Sequence, residues 1–203
     1  MIGIIDYGAG NLQSVRNALD FLGQKCEIIN DPNLVCKFDR IILPGVGAFG
    51  DAMQKLRANN LDESIKEFIK SGKPFLGICL GMQLLFEKSD EFGENLGLGV
   101  IKGEVIRFDE NKFDKKLKIP HVGWNCVNFK KSNAITKNLN SSIYFYFVHS
   151  YHVVPKEDCV LATSEYGYEF VSAICKDNII AFQPHPEKSH KNGILIFRNF
   201  MEM

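Results

Sequence analysis

Between residues 73 and 87 an apolar segment, KPFLGI, runs into Gly77-Ile78-Cys79-Leu80-Gly81 and then into a helical pattern that opens at Leu80 and reaches Glu87. A nucleophile with glycine two residues to either side, at a strand-to-helix turn, is the G-x-nucleophile-x-G elbow, with cysteine where other hydrolases carry serine. The turn is sharp and strained, so its neighbours must lack bulk. The start of the helix then directs free N–H groups and the positive end of its dipole at the sulfur. Such an elbow demands a strand and a helix in sequence, and the remainder of the first half supplies more of both.

MIGII (1–5), KCEIIN (25–30), RIILPG (40–45) and KPFLGI (73–78) read as buried strands. Leu12, Val15, Leu19 and Leu22 recur at helical spacing with Gly23 as a stop, and residues 50–71 read as one or two helices. Strand–helix alternation implies a parallel sheet with helices on both faces. The second half changes character. GEVIRF, KIPHV, CVNFK, SIYFYFVHSYHV, CVLATSEY, FVSAICK and NIIAFQ read as strands joined by short polar turns, and Lys188 to Met203 as a closing helix. The expected fold is α/β: a mostly parallel central sheet flanked by helices, with an antiparallel β extension from about 101 to 175, all in a single domain over 1–203.

Lys plus Arg and Asp plus Glu each total 24, so the formal charge is zero. That argues against binding nucleic acid through phosphate neutralisation and against a polybasic membrane surface. No stretch approaches the roughly 20 apolar residues of a membrane span. Asp6 interrupts a short apolar start that has no basic residues ahead of it, so a signal peptide is not expected. None of the six cysteines forms a C-x-x-C pair. Reduced thiols in a cytoplasmic protein are the expected state, with no metal and no cofactor. The loop Asp6 to Asn11 lacks G-x-G-x-x-G, which argues against a dinucleotide.

A cysteine with a pKa near 8.5 is only a few per cent thiolate at neutral pH. A helix N-terminus contributes about 0.3–1 kcal/mol, less than one pKa unit, so a nearby imidazolium is needed. Among five histidines, His185 stands out in Gln183-Pro184-His185-Pro186-Glu187, just past the strand NIIAF, because ligand sites form at the C-terminal ends of parallel strands. Pro186 biases His185 towards extended backbone, and Glu187 two residues on can turn back to the ring and hold its tautomer. Cys79, His185 and Glu187 form the expected triad. His149 and His152 lie in an aromatic strand and read as structural or site-lining, His121 as a loop residue, and His190 as a solvated helix residue. Pro44-Gly45-Val46-Gly47 follows a strand directly. The N–H groups of Gly45, Val46, Gly47 and Leu80 are the candidates for an oxyanion hole.

These stretches together resemble a known family. IDYGAGNLQSV (5–15), LPGVGAFGDAM (43–53), GICLGMQLLFE (77–87), IPHVGWN (119–125), YFVHSY (146–151) and QPHPEKS (183–189) occur in the order of the class I, triad-type glutamine amidotransferases, most narrowly the glutaminase subunits of imidazole glycerol phosphate synthases. The resemblance implies hydrolysis of glutamine to glutamate and ammonia, with Gly47, Gln83, Glu91, Ser150 and Tyr151 holding the substrate. It implies a heterodimer with a cyclase of β/α-barrel form that receives the ammonia and makes imidazole glycerol phosphate and an aminoimidazole carboxamide ribonucleotide. His121, Trp124, Asn125 and Tyr144 to Tyr146 are candidates for the partner face. One departure is Pro184, where the family usually has an aromatic residue; proline removes a backbone donor next to His185. The alternatives are a paralogous glutaminase feeding another synthase, such as a sugar amidotransferase, a free-standing cysteine hydrolase, or a non-catalytic subunit.

Overall fold

The computed structural model describes residues 1–203. Five strands form its parallel core: β1 (Ile2–Ile5), β2 (Cys26–Ile29), β3 (Arg40–Gly45), β4 (Phe75–Cys79) and the late strand β13 (Ile179–Phe182), in the order β2-β1-β3-β4-β13. Every residue of β1, β4 and β13 is buried. That is why these segments read as unbroken apolar runs: in a parallel sheet both faces are covered. One face carries α3 (Phe49–Ala58) and α4 (Leu61–Lys70), through Met53, Leu56, Ile65 and Phe68. The other carries α1 (Leu12–Phe21) and α6 (His190–Met201), through Val15, Leu19, Ile196 and Phe197. A short helix, α2 (Pro32–Val35), starts at Asp31, whose carboxylate accepts the Asn33 N–H.

The antiparallel extension is present. β12 (Glu169–Lys176) pairs antiparallel with β13, and β10 (Tyr151–Pro155) pairs antiparallel with both β12 and β7 (Ile101–Arg107). β8 (His121–Phe129), β9 (Ser142–His149) and β11 (Val160–Glu165) branch from β12 as an antiparallel arm of the same sheet.

Three expectations need correcting. The helix after the elbow, α5 (Leu80–Gln83), lasts one turn, and the chain continues as β5 (Phe86–Ser89) parallel to β7, edged by β6 (Asn95–Leu96). Leu84, Leu85 and Phe86 are all wholly buried, so the stretch lacks the polar face of a surface helix. SIYFYFVHSYHV is two strands, broken at Ser150, and KIPHV with CVNFK is the single strand β8. His121 is therefore a buried strand residue and not part of a loop.

Register positions the site. Gly45 lies beside Cys79 across β3 and β4, and Phe182 lies beside Ile78 across β13 and β4. The residues that follow each strand, 46–47, 80 and 183–187, thus emerge together at one edge of the sheet. No helix is long and apolar enough to cross a membrane.

Candidate active site

Cys79 ends β4 with φ 55° and ψ −112°, a conformation an L residue rarely adopts. Holding it costs on the order of 1–3 kcal/mol, and such strain gathers where function requires it. The flanking glycines are explained by contact. A Cβ on Gly77 would lie 2.9 Å from the Gly81 carbonyl oxygen, and one on Gly81 would overlap the carbonyl oxygen of Leu43. The helix can turn off the strand only because both lack side chains.

Cys79 opens onto a cleft of about 300 Å³ lined by Val46, Gly47, Leu80, Gln83 and Glu91 on one side and by Val148, His149, Ser150, Tyr151 and His185 on the other. Of the oxyanion candidates, Val46, Gly47 and Leu80 border this cleft, while Gly45 sits behind them, where a Cβ would come within 2.6 Å of the Tyr7 hydroxyl oxygen. Gly47 has φ 93°, a turn that only glycine makes freely.

His185 is 1% exposed and extended at φ −102°, as the following proline dictates. Its backbone N–H donates to the Tyr146 carbonyl at 2.9 Å, so β9 anchors the loop despite Pro184. The segment beyond it is not extended as expected. Pro186 to Lys188 form one 3-10 turn, closed by the Lys188 N–H on the His185 carbonyl, and this turn brings Glu187 Oε1 to 2.7 Å from His185 Nδ1. Burial pulls the His185 pKa down, but Cys79 as an anion and then the Glu187 carboxylate outweigh it and push the pKa up to about 10. His185 Nε2 and Glu187 Oε2 are buried without a hydrogen-bond partner.

The other histidines form a separate system. His149 Nδ1 meets the Tyr151 carbonyl at 2.8 Å, and its Nε2 meets His121 Nδ1 at 3.0 Å. A carbonyl only accepts, so His149 carries its proton on Nδ1 and its Nε2 must accept from His121. His121 Nε2 in turn accepts from Asn125 Nδ2 at 3.3 Å. His152 Nε2 meets the Tyr168 hydroxyl at 2.9 Å. Phe108 packs among all three imidazoles. Burial is the leading cause that depresses His121, to about 4, and His149 and His152 as well. His190, read as solvated, is exposed but lies flat on Trp124 with ring centres 5.1 Å apart.

The remaining expected residues also meet at the cleft. Gln83 Nε2 donates to the Tyr151 carbonyl at 3.1 Å, and Glu91 Oε2 accepts the Phe49 N–H at 2.7 Å, capping α3. Burial outweighs that bond and leaves the Glu91 pKa above the ordinary carboxylate value. Sequence reasoning missed two neighbours of the sulfur. The Gln183 amide reaches Cys79 Sγ at 3.7 Å. The buried Tyr7 hydroxyl has no partner, and its pKa is raised by burial first and then by Cys79. The signal for Gln183 was an amide at the end of a wholly apolar strand, where burial is unfavourable unless bonded. No group of three or more His, Cys, Asp or Glu side chains is arranged to hold a metal ion.

An elbow cysteine at the C-terminal end of a central parallel strand, sharing a cleft with an imidazole that a carboxylate holds from behind, is equipped for acyl transfer through a thioester. The family model for class I glutamine amidotransferases matches residues 3–203. Among curated relatives, the imidazole glycerol phosphate synthase subunit HisH of Wolinella succinogenes is 54% identical over the whole of both chains. The same subunit of Aquifex aeolicus is 51% identical, covering 97% of this chain and 94% of that one. In fold, the structure of PurLQS from Thermotoga maritima aligns with a TM-score of 0.78 at 18% identity, covering 99% of this chain and 97% of that one. The chain belongs to the class I glutamine amidotransferase family, in its branch of HisH subunits. It is a glutaminase subunit of the type that serves histidine biosynthesis.

Proposed function

We propose that residues 1–203 act as one glutaminase domain in which Cys79, His185 and Glu187 are the triad. The carrying observation is that a strained elbow cysteine lines the same cleft as His185, whose far side is held by Glu187. Cys79 attacks the side-chain amide carbon of glutamine. The carbonyl oxygen becomes an oxyanion facing the N–H groups of Leu80 and the 45–47 turn; losing one such donor typically costs about 2.7–4 kcal/mol. His185 protonates the departing nitrogen, which leaves as ammonia with the glutamyl group bound to sulfur. His185 then takes a proton from water, whose oxygen attacks the thioester carbon, and the electron pair of the broken bond returns to sulfur as glutamate leaves. Glu187 holds the ring tautomer throughout.

Gly47, Gln83, Glu91, Ser150 and Tyr151 hold the glutamine. Gln83 uses an N–H on Tyr151, so it offers its carbonyl oxygen to the substrate. The ammonia passes to a β/α-barrel cyclase partner as a heterodimer in the cytoplasm. A channel makes chemical sense, because ammonia freed into neutral water is protonated and ceases to be a nucleophile. Val46 and Val148 are exposed at the cleft, and Val122, Trp124 and Tyr144 are exposed on the same face of the β8–β9 pair as Val148, the surface a partner would cover. His121 is buried beneath this surface, so it supports the face and does not form it.

The test uses the complex with the cognate cyclase. Cys79→Ala is expected to abolish glutamine-dependent ring formation and to leave synthesis from added ammonium salt intact. Glutamine-dependent turnover surviving in that variant would refute the nucleophile assignment.

A further inference from the structure

We propose that the side-chain amide of Gln183 is a dedicated hydrogen-bond donor to the catalytic sulfur, stabilising the Cys79 thiolate before attack and again when the thioester breaks. The inference deepens the reading above and rests on it for the role of Cys79.

Gln183 follows β13 and is fully buried. Because Phe182 lies beside Ile78, the next residue lies level with Cys79, and Gln183 Nε2 stands 3.7 Å from Sγ. An amide oxygen and nitrogen look alike, so which end faces the sulfur must follow from the hydrogen-bond pattern. That pattern starts at an unambiguous group. The Tyr151 carbonyl can only accept, so the Gln83 end at 3.1 Å from it is the NH₂ group. The same nitrogen lies 3.0 Å from the Gln183 amide, which must therefore present its oxygen there. Turning Gln183 over would set two NH₂ groups against each other and an oxygen lone pair against the sulfur. The chain from Tyr151 through Gln83 to Gln183 thus aims an N–H at Cys79.

A thiol is a weak acceptor, whereas a thiolate is a strong one, and hydrogen bonds to charged groups are roughly twice as strong as neutral ones. The donor therefore favours the anion over the thiol. The titratable groups facing the sulfur from neighbouring elements are His185 beyond β13 and Tyr7 beyond β1, with Glu91, His149 and Tyr151 bordering the cleft. Of these His185 supplies charge, while Gln183 supplies a donor that needs no proton and survives any change in the imidazole's state.

The test follows the pH dependence of Cys79 alkylation by iodoacetamide in the purified chain, read at that residue by peptide mass spectrometry, with folding checked by thermal melting. Gln183→Met fills a similar volume without a donor. It is expected to raise the alkylation midpoint by at least about one pH unit, leaving about tenfold less thiolate below it, and to lower kcat in the complex with little change in KM for glutamine. Gln183→Glu, which sets a carboxylate against the sulfur, is expected to raise the midpoint further. Gln83→Met frees the Gln183 amide to rotate and is expected to give a smaller rise, keeping the inference open to refutation if either Gln183 variant fails to fold. An unchanged midpoint in a folded Gln183→Met, or in Gln83→Met where that is the only folded variant, overturns the proposal. Failure of the underlying reading would look different: a diazoketone analogue of glutamine would leave Cys79 unlabelled in the unaltered chain.

Discussion

His185 and His149 border the same cleft and are 1% and 6% exposed, yet their pKa values move in opposite directions. Burial lowers the pKa of both, because it removes the water that stabilises imidazolium. At His185 the anion of Cys79 and the Glu187 carboxylate, 2.7 Å away, reverse that effect and carry the pKa to about 10. At His149 the one opposing influence is the hydrogen bond to the Tyr151 carbonyl. Burial prevails there, helped by the neighbouring His121, His152 and His185, and the ring stays neutral. A buried imidazole is thus charged or neutral according to whether an anion lies beside it, and the two states suit different work. A charged ring at His185 holds a proton ready to give. A neutral ring at His149 has a fixed donor and a fixed acceptor, which serve to lock the backbone at Tyr151.

The most severe way to break this contrast is to make His185 resemble His149. Glu187→Gln retains the shape and removes the charge. Turnover with glutamine is expected to fall by roughly 10²–10⁴-fold, as when the orienting member of a triad is neutralised. KM should change little, because Glu187 lies behind the imidazole and is not among the residues lining the cleft. The kcat–pH profile should shift to lower pH as the His185 pKa falls. A near-normal kcat would assign the orienting role to another group.

The contrast also sets the dependence of stability on pH. Between about 4 and 6.5 an unfolded chain binds a proton at position 121 that the folded chain refuses, so stability falls as pH drops through that window. His185 acts in reverse: its contribution is complete below about 6.5 and is lost as pH rises through about 10. These two groups together favour a maximum of stability near pH 6.5. His121→Phe keeps the stacking on Phe147 and Tyr166, with ring centres now 4.9 and 4.1 Å apart, and removes the titration. It leaves His149 Nε2 without its donor, at a cost of roughly 1–3 kcal/mol at pH 7. Its melting temperature should nonetheless decline less steeply between pH 6.5 and 5 than that of the unaltered chain. Parallel melting curves would show that the His121–His149 pair is not held neutral.

How far the site was legible follows from the same residues. Cys79, His185 and Glu187, which the fold brings together, stand out as candidates because each sits in a local pattern with a physical cause: glycines where a helix must graze a strand, and prolines that set the backbone around a histidine. The parallel core was legible because strands buried on both faces are apolar throughout, as β1, β4 and β13 are. The helix predicted beyond α5 failed because a short, wholly buried segment lacks the periodicity that separates helix from strand. The His121–His149 pair was hidden for a different reason. It depends on the β8–β9 register, which sets these two residues opposite each other across 28 positions of sequence, and nothing local records that pairing.

His190 sharpens the comparison from its weak end. It is the exposed counterpart of the two buried rings, at the first position of α6, and its neighbour is the face of Trp124 at an interplanar angle of 8°. Exposed and packed against one aromatic face, it can be substituted with the fold left almost untouched. His190→Ala is expected to change the unfolding free energy by no more than about 0.5 kcal/mol, the ordinary range for surface positions. What it removes is the ring that supports one side of the half-exposed Trp124. The measurable consequence lies in the affinity for the proposed cyclase partner, which should weaken modestly, while kcat at saturating partner stays unchanged. Titration of the variant with the cyclase separates the two effects. A loss of kcat at saturation would mean that the Trp124–His190 stack reaches Cys79 and is not confined to the proposed docking surface.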